Sequence, residues 1–171
     1  MYEYPTLPTN TDHVWTVKTS TQLEKPRYII IALQTARKNY INKDASKFDH
    51  CDVSNVKVYL NSEAYPREDL NLKFNLNHYA ILYEMYSKFQ QSYYQKPPLP
   101  LLSPQEYKDI APIMVIDCSR QNESIKNGPV DVRIELKTSI PVPDLTTMYC
   151  LILHDRIIEY NPMTGEVQKL I

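Results

Sequence analysis

Residues 130–138 read Val-Asp-Val-Arg-Ile-Glu-Leu-Lys-Thr, with four apolar side chains alternating with four charged ones. Successive strand residues point to opposite faces of a sheet, so Val130, Val132, Ile134 and Leu136 are predicted to face a core while Asp131, Arg133, Glu135 and Lys137 face water. A sheet with one wet face is characteristically antiparallel, because parallel sheets are covered on both sides and read as continuous apolar runs. The same alternation recurs in His13-Val-Trp-Thr-Val-Lys-Thr19, which places Val14 and Trp15 on opposite faces, and in Asn55-Val-Lys-Val-Tyr-Leu-Asn61. Arg27-Tyr-Ile-Ile-Ile-Ala-Leu-Gln-Thr35 is apolar throughout its centre and predicts an interior strand touching protein on both faces. A break is read at Glu24-Lys-Pro26 and a loop over 36–52. Further strands are predicted over 69–74, 113–117, 148–153, 156–160 and 166–170. Asn161-Pro-Met-Thr-Gly165 forms the turn between the last two, with Gly165 free to take positive φ. Paired alternating segments predict a core of Ile29, Ile31, Val56, Val58, Val132, Ile134, Leu151 and Leu153.

Two segments carry the other period. From Asn77 onward Tyr79, Leu82, Tyr83, Tyr86, Phe89 and Tyr93 recur at three- and four-residue spacing, one apolar stripe on a helix that Lys96-Pro-Pro-Leu-Pro100 ends. Ser103-Pro104-Gln105-Glu106 is a capping box with proline at the first helical position and predicts a helix over 104–110. Many short strands punctuated by turn signals, with only two helices, define an all-β class: an antiparallel β-sandwich of jelly-roll type with two short helical insertions. Parallel βαβ winding needs a helix between most strands. Residues 1–12 are polar, contain prolines and show no period, and are read as a linker or arm; residues 13–171 form one domain.

Composition narrows the function. Nineteen basic and 20 acidic residues give a formal net charge of −1, which supplies no broad polyanion-binding surface. Only two glycines occur, Gly128 and Gly165, so phosphate-cradling loops and the Gly-x-Ser-x-Gly nucleophile turn are excluded. The 13 prolines and many Asn and Asp residues make the turns instead. Fourteen tyrosines suit strands, half-buried surfaces and interfaces. Most of them are read as core. The three cysteines, Cys51, Cys118 and Cys150, are odd in number and widely spaced, which argues for thiols in a reducing compartment rather than a disulfide framework or a structural zinc. Glu3, Pro5, Pro8 and Asp12 stand where a secretion signal would be basic and then apolar, so secretion is not expected. No apolar run approaches membrane-spanning length, and no membrane contact is expected.

Candidate chemistry is sparse. Asp49-His50-Cys51-Asp52 packs four potential metal ligands together, but adjacent side chains of an extended chain diverge, and a loop with a half-buried cysteine is the simpler reading. Cys118, in the polar run 117–124, could form a nucleophile with a distant His154, yet Asp117 beside it raises a thiol's pKa. His154-Asp155-Arg156 reads as a tight turn, and His13 and His78 flank a strand and a helix without a visible partner. No catalytic residue, metal ligand or cofactor is assigned.

Several long strings match a known family. Lys18-Thr-Ser-Thr-Gln-Leu-Glu-Lys-Pro-Arg-Tyr28, Phe48-Asp-His-Cys51, Asn55-Val-Lys-Val-Tyr-Leu-Asn-Ser-Glu63, Tyr79-Ala-Ile-Leu-Tyr83, Val115-Ile-Asp-Cys-Ser-Arg-Gln-Asn-Glu-Ser124 and Leu153-His-Asp-Arg156 with Glu159-Tyr-Asn-Pro162 resemble the double jelly-roll major capsid proteins of Polinton (Maverick) elements and adintovirus-like viruses. The resemblance runs from about Trp15 to the C-terminus. It implies a structural protein with no cofactor, in which each chain folds two jelly rolls and three chains form a pseudo-hexagonal capsomer of an icosahedral shell. Localisation would be intracellular, or the virion if the gene still belongs to a viral element.

This chain departs from the pattern in having residues for one roll only; it resembles the C-terminal roll, either as a fragment completed by a preceding roll or as a stand-alone domain. The resulting expectation is self-association as a capsid-type building block. Host retention as a binding module for protein or nucleic acid is the alternative, and a cysteine hydrolase is third. The expected interface is the aromatic stripe of Tyr79, Tyr83, Tyr86, Phe89 and Tyr93, with Tyr94 beside it.

Overall fold

The computed structural model describes residues 1–17, 26–38, 40–120, 130–154 and 157–170. Ten strands and two α-helices follow in the order β1 (Tyr2–Tyr4), β2 (Asp12–Val17), β3 (Pro26–Thr35), β4 (Val53–Leu60), β5 (Glu63–Tyr65), α1 (Ala80–Tyr94), α2 (Pro104–Ile110), β6 (Met114–Asp117), β7 (Val132–Thr138), β8 (Thr146–His154), β9 (Ile157–Asn161) and β10 (Glu166–Leu170). The first eight strands form two four-stranded antiparallel sheets, ordered β1-β8-β3-β6 and β2-β7-β4-β5. The first strand pairs with the eighth, the second with the seventh, the third with the sixth and the fourth with the fifth. This is a single long antiparallel ribbon rolled upon itself, with β3–β8 and β4–β7 closing the roll into a sandwich. That winding is the eight-stranded jelly roll. Both helices lie in the connection between β5 and β6.

The core forms between the sheets. Val132, Ile134 and Leu136 of β7 are fully buried, as the alternation predicts, and Arg133 and Lys137 are exposed. Ile29, Ile31, Val56 and Val58 are buried as expected. Between Val53 and Asn55 the register of β4 slips by a bulge, which lets Val53 and Val56 both point inward despite their odd spacing.

β8 corrects the expected register. Cys150 pairs with Ile31 and Ile152 with Ile29, so Met148, Cys150 and Ile152 face the core, whereas Leu151 is 38% exposed and Leu153 half-buried. The run Met148-Tyr-Cys-Leu-Ile-Leu153 is apolar at every position, so period two carries no information about which parity faces inward.

Other boundaries also move. Residues 69–74 are not a strand: Leu72 is buried and donates its N–H to the Ser54 carbonyl at 2.8 Å, and Phe74–Leu76 is a single 3-10 turn. Asn77 ends that turn in the left-handed region at φ 56°, so α1 starts three residues later, at Ala80. Residues 1–12, expected as a linker or arm, instead lie on the sandwich: β1 pairs with β8, and Leu7 is buried with its N–H on the Thr146 carbonyl at 2.8 Å. The second helix has the predicted bounds, and Ser103 and Glu106 cap each other reciprocally. Gly165 takes φ 71° and closes the β9–β10 turn onto the Asn161 carbonyl at 2.9 Å. The break at Glu24-Lys25, the polar run from Gln121 to Ser124 and the turn at Asp155-Arg156 lie outside the described residues.

The corrected register of β8 has a direct consequence for stability. Ile152→Ala is expected to cost about 2–5 kcal/mol in chemical denaturation. Leu151→Ala, on the outer face, is expected to cost about 1 kcal/mol or less. The reverse order would restore the register predicted from the sequence.

Candidate association surface

The two sheets differ in what covers their outer faces. The outer face of the β2-β7-β4-β5 sheet is wet and compensates its own charge: Lys57 pairs with Asp69 at 2.7 Å, Arg133 with Glu135 at 3.2 Å and Lys137 with Asp12 at 3.8 Å. The Arg133 guanidinium also lies 4.4 Å from the Tyr59 ring centroid. Exposed pairs of this kind add little stability but keep the face soluble and unattractive to an apolar partner.

The outer face of the β1-β8-β3-β6 sheet is apolar and dressed by the chain itself. Near β6, Tyr28 is 2% exposed and meets Phe89 and Tyr93 of α1 edge-on, at centroid distances of 5.1 and 5.8 Å. Farther along β3, the buried Gln34 amide donates to the Ala45 and Lys47 carbonyls at 2.9 and 3.1 Å, which ties down the loop after β3. Phe48 of that loop meets Tyr149 edge-on.

The aromatic stripe of α1 is therefore divided. Tyr79 is 6% exposed, stacked between Phe74 and Tyr107, with its hydroxyl donating to the Pro104 carbonyl at 3.1 Å. Tyr83 donates to the Leu102 carbonyl at 2.8 Å, and Tyr86 leans on Tyr107 at 5.2 Å. Tyr107 itself is fully buried and donates to the Ile113 carbonyl at 2.8 Å. Phe89 and Tyr93 are half-buried over Tyr28. Tyr94 alone of the six stays outside, at 58% exposure, resting on the edges of Phe89 and Tyr93.

A second exposed apolar surface lies on the β9–β10 hairpin. Tyr160 and Val167 are cross-strand neighbours on one face and Ile158 shares that face, all at least 60% exposed. Glu159, Asn161, Glu166 and Gln168 occupy the opposite face. This alternation is visible in the sequence, but which side would meet the body is not.

The candidate chemical groups are held structurally. The Asp49 carboxylate is gripped by Arg37 through two bonds of 2.6 and 3.1 Å and accepts the Thr35 N–H at 2.9 Å. His50 stacks on Phe74 at 4.6 Å, and its Nδ1 accepts the Asp52 N–H at 2.9 Å. Cys51 and Asp52, at φ 43° and 47°, form the centre of a tight turn closed from the Val53 N–H to the His50 carbonyl. Asp49 and Cys51 both meet Thr35, and the His50 Nδ1 lies 3.6 Å from the Asp52 carboxylate, but among the described residues no three His, Cys, Asp or Glu side chains converge as metal ligands.

All three cysteines are buried, unbridged thiols. Burial pushes Cys51 up to about 11 and Cys150 up to about 12. It pushes Cys118 higher still, reinforced by Asp117 and Cys150. Cys118 and His154 lie at the same end of their sheet but on opposite sides of β3, two strand spacings or about 10 Å apart. That arrangement does not activate a thiolate.

His13 was missed as a core residue: it faces inward on β2 at 4% exposure, its Nε2 on the Asn10 carbonyl at 3.0 Å and its Nδ1 without a partner among the described residues. His78 forms a backbone bridge with Lys73. Among the described residues no helix is long and apolar enough to cross a membrane.

Fold and surface together define a jelly-roll sandwich whose exposed apolar groups lie chiefly on α1 and its following segment, on loop tips and on a terminal hairpin, with Val14 of β2 and Leu151 of β8 exposed singly. The chain belongs to the double jelly roll-like domain family, whose model matches residues 1–158. No curated protein and no solved structure matches it.

Two measurements follow from these groups. Burial lowers the pKa of His13 and of His50 below the ordinary 6.5, outweighing the raising effects of the Asn10 carbonyl and Asp12 on the first and of Asp52 on the second. Above that value both are neutral in folded and unfolded chains; below it the unfolded chain takes up protons first, so stability falls as pH drops from 6.5 through the depressed folded values. The melting temperature is expected to fall between about pH 7 and 5, where most carboxylates remain ionised, and His13→Gln should flatten the decline. For the thiols, alkylation of Cys118 in the folded protein at neutral pH is expected to be far slower than in denaturant. Rapid, selective labelling would mark an activated nucleophile.

Proposed function

We propose that this chain is a structural, self-associating capsid-type domain: a capsomer building block from a viral or transposon-derived major capsid protein of the Polinton (Maverick) kind. The family membership supplies the capsid-type fold, and the observation that carries self-association is the placement of exposed apolar side chains. Tyr94, and Ile158, Tyr160 and Val167 of the terminal hairpin, are outward while the rest of the aromatic stripe is used internally. A two-stranded hairpin is marginal on its own and gains stability when one face is covered. Two different patches on one subunit suit a heterologous contact, which closes into a ring when the rotation allows; a trimer is the expected species. Where the chain is part of a longer protein, a preceding roll would be a further partner.

Sedimentation velocity over a concentration range tests this. The expected result is a discrete oligomer burying on the order of 1,200 Å² or more per contact. Tyr94→Ser combined with Tyr160→Ser should return it to monomer with the melting temperature nearly unchanged, because neither side chain is core. A monomer at every concentration would overturn the reading. It would favour the alternative, a host-retained binding module for protein or nucleic acid.

A further inference from the structure

The segment between α1 and α2 reads Lys96-Pro-Pro-Leu-Pro-Leu-Leu102, and from Lys96 to Leu101 every side chain is exposed except Pro100, which is half-buried. Leu99 is 71% and Leu101 84% exposed, and Pro97 and Pro98 are exposed with them. Scattered single leucines on a surface need no explanation, but a contiguous run of prolines and leucines does. Ending α1 needs only one proline, and α1 is already stopped by Gln95 at φ 54°, whose N–H and that of Lys96 return to the carbonyls of Gln91 and Gln90 at 3.1 and 3.3 Å. At the far end Leu102 is half-buried, its carbonyl holds the Tyr83 hydroxyl, and the Ser103–Glu106 capping box starts α2. The segment is thus pinned at both ends and offered between them.

We infer that residues 96–101 are a docking ligand for a partner protein bearing an aromatic-lined groove of the kind that receives polyproline II helices. In that helix three residues make a turn, so Pro97 and Pro100 share one ridge and Pro98 and Leu101 a second, two adjacent apolar ridges for two aromatic slots. The three prolines hold φ near −65° before binding, which removes much of the ordering cost. Within the segment the Leu99 N–H bonds to the Pro97 carbonyl at 2.8 Å, a tight turn centred on Pro98. Docking asks that ψ of Pro98 open from the turn value to the extended one, which also turns the half-buried Pro100 outward. Lys96, beside the first proline and 5.9 Å from the Tyr94 ring, sets a positive charge at one end and favours an acidic groove rim.

The test titrates the full chain, by calorimetry, with a purified WW domain of the class that binds Pro-Pro-Leu-Pro and separately with a purified SH3 domain. Saturable binding to at least one is expected, weakened about tenfold or more by Pro98→Ala with Pro100→Ala. Leu99→Ser with Leu101→Ser should weaken it as well; both leucines are outside the core, so this variant keeps the fold even if the proline variant does not. Absence of binding by both modules at millimolar concentration would overturn the inference, as would binding indifferent to both variants. Loss of self-association in the leucine variant, without binding to either module, would also overturn it and assign the segment to a contact between copies of this chain.

Discussion

The structure depends on β3 being buried on both faces. Its inward residues Ile29, Ile31 and Leu33 supply the middle of the sandwich core, and it is hydrogen-bonded on both edges, to β8 and to β6. Its outward residues cannot be left wet, and each stretch recruits a different cover. Tyr28 takes the second half of α1, and Gln34 takes the long loop after the strand, which Asp49 and Arg37 then lock. A strand apolar on both faces therefore dictates two things a jelly roll does not require, a helix laid on one sheet and a tethered loop beside it.

That constraint also explains how the aromatic residues are spent. Phe74, Tyr79, Tyr86 and Tyr107 form a chain of rings joined to the core, with buried hydroxyls satisfied by backbone carbonyls such as those of Pro104 and Ile113. Tyrosine suits this region because its ring packs while its hydroxyl reaches the backbone groups that a helix-containing connection leaves unpaired. What remains for other molecules is the periphery: Tyr94, the proline-rich segment that follows it, and one face of the β9–β10 hairpin. On the opposite sheet Val14 is exposed singly, among Lys57, Arg133, Glu135 and Lys137, which pair locally.

The buried ionisable groups fit a scaffold. His13 lies in the core with one nitrogen unpartnered among the described residues, and the three thiols are raised by desolvation rather than activated by a neighbouring cation. His13 makes the fold sensitive to acid, whereas the thiols make it sensitive to alkali, since the unfolded chain gives up their protons at a lower pH than the folded one.

Where charged and apolar residues alternate regularly along a strand, the sequence alone determined which face is wet. Strand β7 shows this most clearly, since Arg133 and Lys137 cannot be buried and so oblige Val132, Ile134 and Leu136 to point inward. The bounds of α2 were equally legible, because its cap is written in four consecutive residues. The jelly-roll class followed from the count of such signals and from the family resemblance. Tertiary structure decided the rest. The parity of β8 was set by its pairing with β3, since an all-apolar run has no preferred face of its own. β1 exists only because β8 offers it an edge, three residues being too few to show a period. Asn77 reads as a helix start but is used to end a 3-10 turn, a choice set by how Phe74 is buried. Whether a given tyrosine of α1 is core or surface depended on where Tyr28 and Tyr107 stand in space, which no local pattern encodes, because helical spacing specifies a face but not what that face will meet.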